Sequence, residues 1–276
     1  MNRLRSLFLA PAWAVTALLF LIPMGIVAVY SFLTRGAYGG LGAPFSVESY
    51  MRVVDSLYFG ILWRSFWIAG ASTVGCLLLG FPLALFISGA GRRKGLYLSL
   101  VILPFWTSFL VRTYAWMFLL RDTGLINSLL QHLGVIREPL PLLYNDGAVI
   151  VGLVYSYLPF MVLPLYATLE RMDKSLLEAA ADLGARPWQT TVRVVIPLCM
   201  PGIRAGSILV FIPCLGAYLT PDLLGGGKSV MIGNLIQNQF TTARDWPFGS
   251  ALSLLLMGIV MILLWLFVRG DKEGLL

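Results

Sequence analysis

The sequence predicts an all-α membrane protein built as a bundle of six transmembrane helices. Three observations predict it. Of the 276 residues, 58% are hydrophobic and only 12% charged, against roughly 25% charged in soluble domains. The mean hydropathy is +0.84. Apolar runs of about 20 residues, the length that crosses a bilayer, recur along the chain, and no polar stretch between them is long enough for a separate soluble domain.

The runs follow in order. Met1 to Arg5 is short and basic, and residues 7–33 form the first apolar run, containing Pro11 and Pro23. A signal peptide has a core of only about 7–15 apolar residues, so this longer run reads as an uncleaved span. Residues 34–64 are a mixed loop with Gly39-Gly40 and Pro44. Residues 65–88 form the second span, closed by a tight turn with Arg92, Arg93 and Lys94. Residues 97–120 form the third, and residues 121–145 are polar and Pro-rich with no obvious span. Residues 148–169 form the fourth, interrupted by Pro159 and Pro164. Residues 202–224 form the fifth, with Pro213, ending at Pro221-Asp222. Residues 247–268 form the sixth, closed by Arg269, Asp271 and Lys272.

Six spans put both termini on one side, and basic residues choose the side. Arg3, Arg5, Arg92, Arg93, Lys94, Arg171, Lys174, Arg186, Arg193, Arg204, Arg269 and Lys272 share one set of segments. Arg35, Arg52, Arg64, Arg121, Arg137, Lys228 and Arg244 share the other. The first set is larger and its segments are shorter, so it is read as cytoplasmic, with both termini. The net charge of +7 is thereby assigned to cytoplasmic loops in a lipid bilayer rather than to nucleic-acid binding.

Residues 170–200 are the longest run that cannot sit inside a bilayer. Ser175-Leu176-Leu177-Glu178 has the form of a capping box, and Leu176, Leu177, Ala180 and Leu183 fall on one helical face. Gly184 suits a left-handed helix end. Pro187 suits the first turn of a second helix, and Pro197 ends or kinks it. From these residues alone, an amphipathic connector and a docking loop fit equally.

Few residues carry chemistry. Cys76, Cys199 and Cys214 give neither a disulfide framework nor zinc spacing, and the single His132 argues against a His-based metal site or triad. Gly227-Lys228-Ser229 resembles the end of a phosphate-binding loop, but Asp222 stands where that pattern requires Gly and no strand precedes it. Arg112 is a fixed charge inside the third run, among Trp106, Tyr114 and Trp116. Aromatic faces attract organic cations, which fits a solute path. The same residues also fit an interfacial belt with Arg112 reaching outward. An arginine repels cations, so a structural or gating part suits Arg112 better than cation binding. Asn234, Gln237, Asn238, Gln239 and Arg244-Asp245-Trp246 make the last outer loop polar, and a solvated loop is the plain reading of each.

At Glu178-Ala179-Ala180, with Gly184 three residues on and Val194-Val195-Ile196-Pro197 nine residues beyond that, the chain resembles the EAA loop of permease subunits of bacterial binding-protein-dependent ABC importers. In that pattern Ile and Leu stand where this chain has Val194 and Ile196. Residues 104–108, 111–116, 223–226, 231–236 and 243–249 look like the first permease subunit of spermidine/putrescine importers. The resemblance spans nearly the whole chain. It implies a type I importer permease bundle, a single transmembrane domain over residues 1–276 in the bacterial inner membrane, with residues 170–200 as a cytoplasmic coupling loop. It implies an ATPase dimer that meets Glu178, Ala179, Ala180, Asp182, Gly184 and Pro197, a second permease subunit, and a periplasmic substrate-binding protein. ATP and Mg belong on the partner subunits, with no cofactor on this chain. A solute path is expected near Trp106, Thr107, Arg112, Tyr114, Trp116, Tyr218 and Asp222. Ala217 departs from the Glu expected between Gly216 and an aromatic residue, which weakens a polyamine assignment against another small organic solute. The alternatives from other classes are a gradient-driven secondary transporter, which calls for buried acidic or His residues in the spans, and a membrane-embedded hydrolase, which calls for a catalytic cluster. Spans two to four and six have no acidic or His residue clearly buried, and no catalytic cluster stands out.

Overall fold

The computed structural model describes residues 2–173 and 175–273, excepting the side chains of residues 2–9, 12, 268 and 270–273. Lys174, and the side chains of Arg3, Arg5, Asp271 and Lys272, which figured in the charge pattern, therefore lie outside the description. Helix α1 (Asn2–Ser31) leads into a hairpin of β1 (Leu33–Arg35) and β2 (Leu41–Phe45), followed by α2 (Glu48–Val53) and the long α3 (Ser56–Gly89). A 3-10 turn (Gly91–Arg93) opens α4 (Lys94–Ile102), and another (Leu103–Trp106) closes it. Then come α5 (Phe109–Leu120), α6 (Leu125–His132), α7 (Asp146–Glu170), α8 (Ser175–Asp182) and α9 (Pro187–Thr190). A π-helical turn (Thr191–Val195) precedes α10 (Ile196–Leu198), α11 (Met200–Leu215), α12 (Leu219–Gly225), α13 (Ile232–Thr241) and α14 (Trp246–Glu273).

Among the described residues, stretches of α1, α3, α7 and α14 are long and apolar enough to cross a membrane. Two bent pairs, Gly91–Trp106 with Phe109–His132 at 90° and Pro187–Leu198 with Met200–Leu215 at 69°, bring the number to six when each counts as one span. The third run is thus not one straight helix over 97–120. Pro104 has no N–H for the ladder, and Thr107 and Ser108 adopt extended backbone between the two arms. The fifth run likewise divides, with α11 ending at Leu215 and α12 resuming at Leu219. Residues 121–145, which showed no span, contain α6. The loop at 34–64 contains the hairpin, paired antiparallel with Thr34 opposite Gly42 and Arg35 opposite Leu41.

The contacts divide the chain into two compact units, residues 1–61 with 235–276, and residues 62–234. In the first unit α1 packs along α14, and α14 also meets α2 and β1. Asp245, read from sequence as part of a solvated loop, is 2% exposed. Its carboxylate accepts from Arg52 at 2.8 Å and from the Phe248 N–H at 3.3 Å, so it both pairs with α2 and caps α14. The Arg52 guanidinium lies 4.2 Å from the Phe248 ring centre. The hairpin is tied to the same corner, where the Gly40 N–H donates to the Arg244 carbonyl at 2.7 Å and the Arg35 guanidinium to the Ala243 carbonyl at 2.8 Å.

In the second unit α7 is the central element, packed against α11, α12 and α5. Its buried side includes Val149, Leu153, Met161, Val162 and Leu165. In lipid, helix association depends on close packing rather than on escape from water, which favours small residues at the contact. Gly202-Ile203-Arg204-Ala205-Gly206 on α11 supplies such a pair. A Cβ at Gly202 would lie 2.5 Å from Thr168 Oγ1 and 2.9 Å from the Pro164 carbonyl oxygen, and one at Gly206 would lie 2.7 Å from Met161 Sδ. Because the Pro164 carbonyl is backbone, it cannot swing aside. Gly202→Ile is therefore expected to destabilise the chain by about 1–3 kcal/mol through overpacking. Thermal unfolding of the detergent-purified variant checks this, and an unchanged midpoint would show that α11 does not approach α7 closely.

Candidate functional site

The polar stretch after α7 folds as helix, turn and helix. Its start differs from the expected capping box. Asp173 takes the capping place, its carboxylate accepting from the Ser175 N–H at 2.9 Å. That hydrogen bond holds the Asp173 carboxyl below the usual carboxylate range. The end of α8 follows the expectation. Gly184 sits at φ +78°, its N–H reaches the Ala181 carbonyl at 2.9 Å, and the Ala185 N–H reaches the Ala180 carbonyl at 3.0 Å. Those two bonds make a Schellman motif, which needs a left-handed residue at that position.

Arg186 opens α9 in extended conformation with Pro187 in the first turn, and the Gln189 side chain accepts from the Arg186 N–H at 2.9 Å. Pro197 neither ends the helix at once nor leaves it regular. It breaks the ladder to Arg193, and the preceding turn widens so that the Ile196 N–H bonds to the Thr191 carbonyl. The chain then bends into α11.

The resulting surface is open. Within this loop α8 packs chiefly on α9 and the π-helical turn. Glu178, Ala179 and Asp182 are exposed, Ala180 is half-buried, and Pro197 is exposed. Leu183 is 89% exposed and Trp188 60%. Both stand among the charged side chains of Asp182 and Arg186. The structure places Glu178, Ala179, Ala180 and Asp182 on α8 and Gly184 in the turn after it, while Pro197 lies on α10, beyond α9 and the π-helical turn.

The solute-path candidates are more scattered. Arg112 is buried at 8% exposure, which removes the alternative in which it reaches outward. Its Nη1 donates to the Pro104 carbonyl at 3.3 Å, across the break between α4 and α5. Thr107 serves the same oxygen through its hydroxyl at 2.7 Å and its N–H at 3.3 Å. The guanidinium lies 5.3 Å from the Phe105 ring and 5.8 Å from the Phe109 ring, and its Nε has no hydrogen-bond partner among the described residues. Arg112 thus satisfies a carbonyl that the bend frees. Trp106 stands 85% exposed at that elbow. Tyr114 is exposed, Trp116 packs edge-on against Tyr155, and Tyr218, just before α12, and Asp222, in its first turn, are both exposed. Ala217 is buried at 7% exposure.

Sequence reasoning missed one polar cluster. Asp146, in the first turn of α7, accepts from Arg64 of α3 at 2.7 Å and from the Ser229 hydroxyl. Beside it Asn145 caps α7 by accepting from the Ala148 N–H at 2.9 Å, and the Ser65 hydroxyl accepts from the Ile232 N–H at 2.8 Å. Asn-Asp before an apolar run is a helix-start signal that would have placed Asp146, though not its partners.

Broken apolar helices joined by one exposed helix–turn–helix define a membrane transport component of the permease type. Residues 76–270 match the family described as binding-protein-dependent transport system inner membrane component, and the chain belongs to that family. It is 44% identical over 248 residues to the spermidine/putrescine transport system permease protein PotB of Escherichia coli (strain K12), covering 88% of this chain and 90% of that one. It is 40% identical over 272 residues to PotB of Haemophilus influenzae, covering 98% and 95%. A chain in the crystal structure of a bacterial alginate ABC transporter in complex with alginate pentasaccharide-bound periplasmic protein has the same fold. It aligns at TM-score 0.77 and 16% identity over 99% of this chain and 96% of that one. The chain is thus a permease subunit of an ABC importer.

The Pro104 carbonyl sets a test of the elbow. Arg112→Met is expected to cost about 1.5 kcal/mol, the low end for a hydrogen bond from a charged donor to a carbonyl that Thr107 still serves, and Arg112→Lys to recover part of it. Thermal unfolding of both purified variants checks the order, and a fully stable Arg112→Met protein would contradict it.

Proposed function

We propose that this chain carries a polyamine such as spermidine or putrescine across the inner membrane, driven by ATP hydrolysed on partner subunits and not by any site of its own. The observation that carries the substrate class is the 40–44% identity to two spermidine/putrescine permeases over most of the chain. Glu178, Ala179, Ala180, Asp182, Gly184 and Pro197 form the surface that meets the ATPase pair, on the cytoplasmic side with both termini. Closure of that pair moves α8, and the bundle alternates between inward and outward access as one bistable element. A second permease subunit completes the path, and a periplasmic binding protein delivers the solute. Trp106, Tyr114, Trp116, Tyr218 and Asp222 are the candidates for the path, with Thr107 and Arg112 shaping its elbow.

A second reading, import of another small organic solute, is favoured by one observation. Ala217 replaces the expected carboxylate and is buried, so this position offers nothing to a polyammonium ion. Uptake in inverted and right-side-out vesicles separates the readings. Spermidine or putrescine uptake that needs ATP and survives collapse of the ion gradient supports the proposal. ATP-dependent uptake of another small organic solute, with no transport of either polyamine, supports the second reading, and ATP-independent uptake that fails with the gradient contradicts both.

Two substitutions test the loop. A left-handed residue is costly for anything but Gly, roughly 1–2 kcal/mol, and Pro cannot adopt φ +78° at all. Gly184→Pro is expected to abolish transport while the protein still inserts, which normal uptake would refute. Glu178→Lys reverses an exposed charge and is expected to weaken recovery of the ATPase with the tagged chain. Unchanged co-purification would remove Glu178 from the contact.

A further inference from the structure

Where α7 gives way to α8, a cavity of about 500 Å³ opens between the helix ends. Its volume falls in the range of small-ligand sites. Met172, Leu176, Leu198 and Pro201 give it apolar walls, and Arg171 and Asp173 add one cation and one anion. Both charged side chains are exposed, and neither enters an ion pair among the described residues. Asp173 accepts the Ser175 N–H and a side-chain hydrogen bond from Ser175, and its exposed carboxylate has lone pairs left for a further donor. The neighbouring Glu170 is engaged by Lys94, and the Thr168 hydroxyl donates to the Pro164 carbonyl. Among the described residues, the open charges beside the apolar hollow are therefore a single guanidinium and a single carboxylate.

We propose that this cavity holds an aminophospholipid of the surrounding leaflet. The site lies at the end of an apolar span, which is headgroup depth. Arg171 donates to the lipid phosphate, the primary ammonium donates to Asp173, and an acyl chain lies along Met172, Leu198 and Pro201. The pairing discriminates among lipids. A choline headgroup has no N–H to give Asp173, and a glycerol headgroup brings no positive charge at all. An ammonium and a phosphate on one headgroup match the two protein charges in sign and number.

The readout is bound lipid, so the result stands apart from whether α8 couples to an ATPase. The complex is purified from its native membrane and reconstituted into nanodiscs holding equal phosphatidylethanolamine, phosphatidylcholine and phosphatidylglycerol. Lipids retained after delipidation are then counted by native mass spectrometry. Selective retention of phosphatidylethanolamine is expected, falling on the order of tenfold in the Arg171→Gln, Asp173→Asn double variant, since each lost pair is a charge-assisted hydrogen bond. Leu198→Trp, which fills the hollow and keeps both charges, is expected to reduce retention as well. Equal retention of the three lipids, preference for phosphatidylglycerol, or unchanged retention in both variants would overturn the proposal.

Discussion

A backbone carbonyl that loses its helical donor inside a bilayer has no water to turn to, and leaving it bare costs several kcal/mol. That constraint governs this molecule, because its spans are interrupted. Pro104, Pro159, Pro164, Pro197 and Pro213 each remove a donor from a ladder. The structure answers locally at the elbow, where the backbone turns extended at Thr107 and Ser108 and the Pro104 carbonyl receives Thr107 and Arg112. The same logic places Asp245 at the start of α14 and Asn145 at the start of α7, where free N–H groups need an acceptor. Bends so stabilised give a membrane helix two arms of different direction, which a solute path or a moving loop requires and a straight span does not offer.

Much of this was legible in the residues. Hydropathy placed the apolar runs, because lipid demands about 20 apolar residues wherever a helix crosses. Gly184 and Pro187 announced the turn and the second helix through strict local geometry, and both took the expected conformation. Other features were hidden by distance in sequence. Arg52 lies far from Asp245, and Arg64 far from Asp146, so nothing local distinguished a buried cap from a solvated loop charge. The 90° elbow was hidden for another reason. One proline in an apolar run is compatible with a gentle kink or a sharp break, and tertiary packing decides between them. Arg112 was flagged as an unusual charge, but the carbonyl it serves became visible only with the bend.

The two functional regions differ in how they were read. The loop residues follow one another over a short stretch of chain, so their spacing alone suggested the assignment. The path residues come from the elbow, α5 and α12, and each was chosen for its chemistry alone. The structure buries Arg112 and Ala217 and exposes Trp106, Tyr218 and Asp222.

The central claim is that α8 and the turn after it meet the nucleotide-hydrolysing partner. The most direct measurement is site-specific cross-linking in native membranes from a photoreactive residue at Leu183, which projects 89% exposed from the loop. The account predicts one dominant adduct with the ATPase subunit, whose yield changes when ATP or its non-hydrolysable analogue is added. Adducts with lipid alone, or with a periplasmic protein, would contradict both the role and the orientation assigned to the loop.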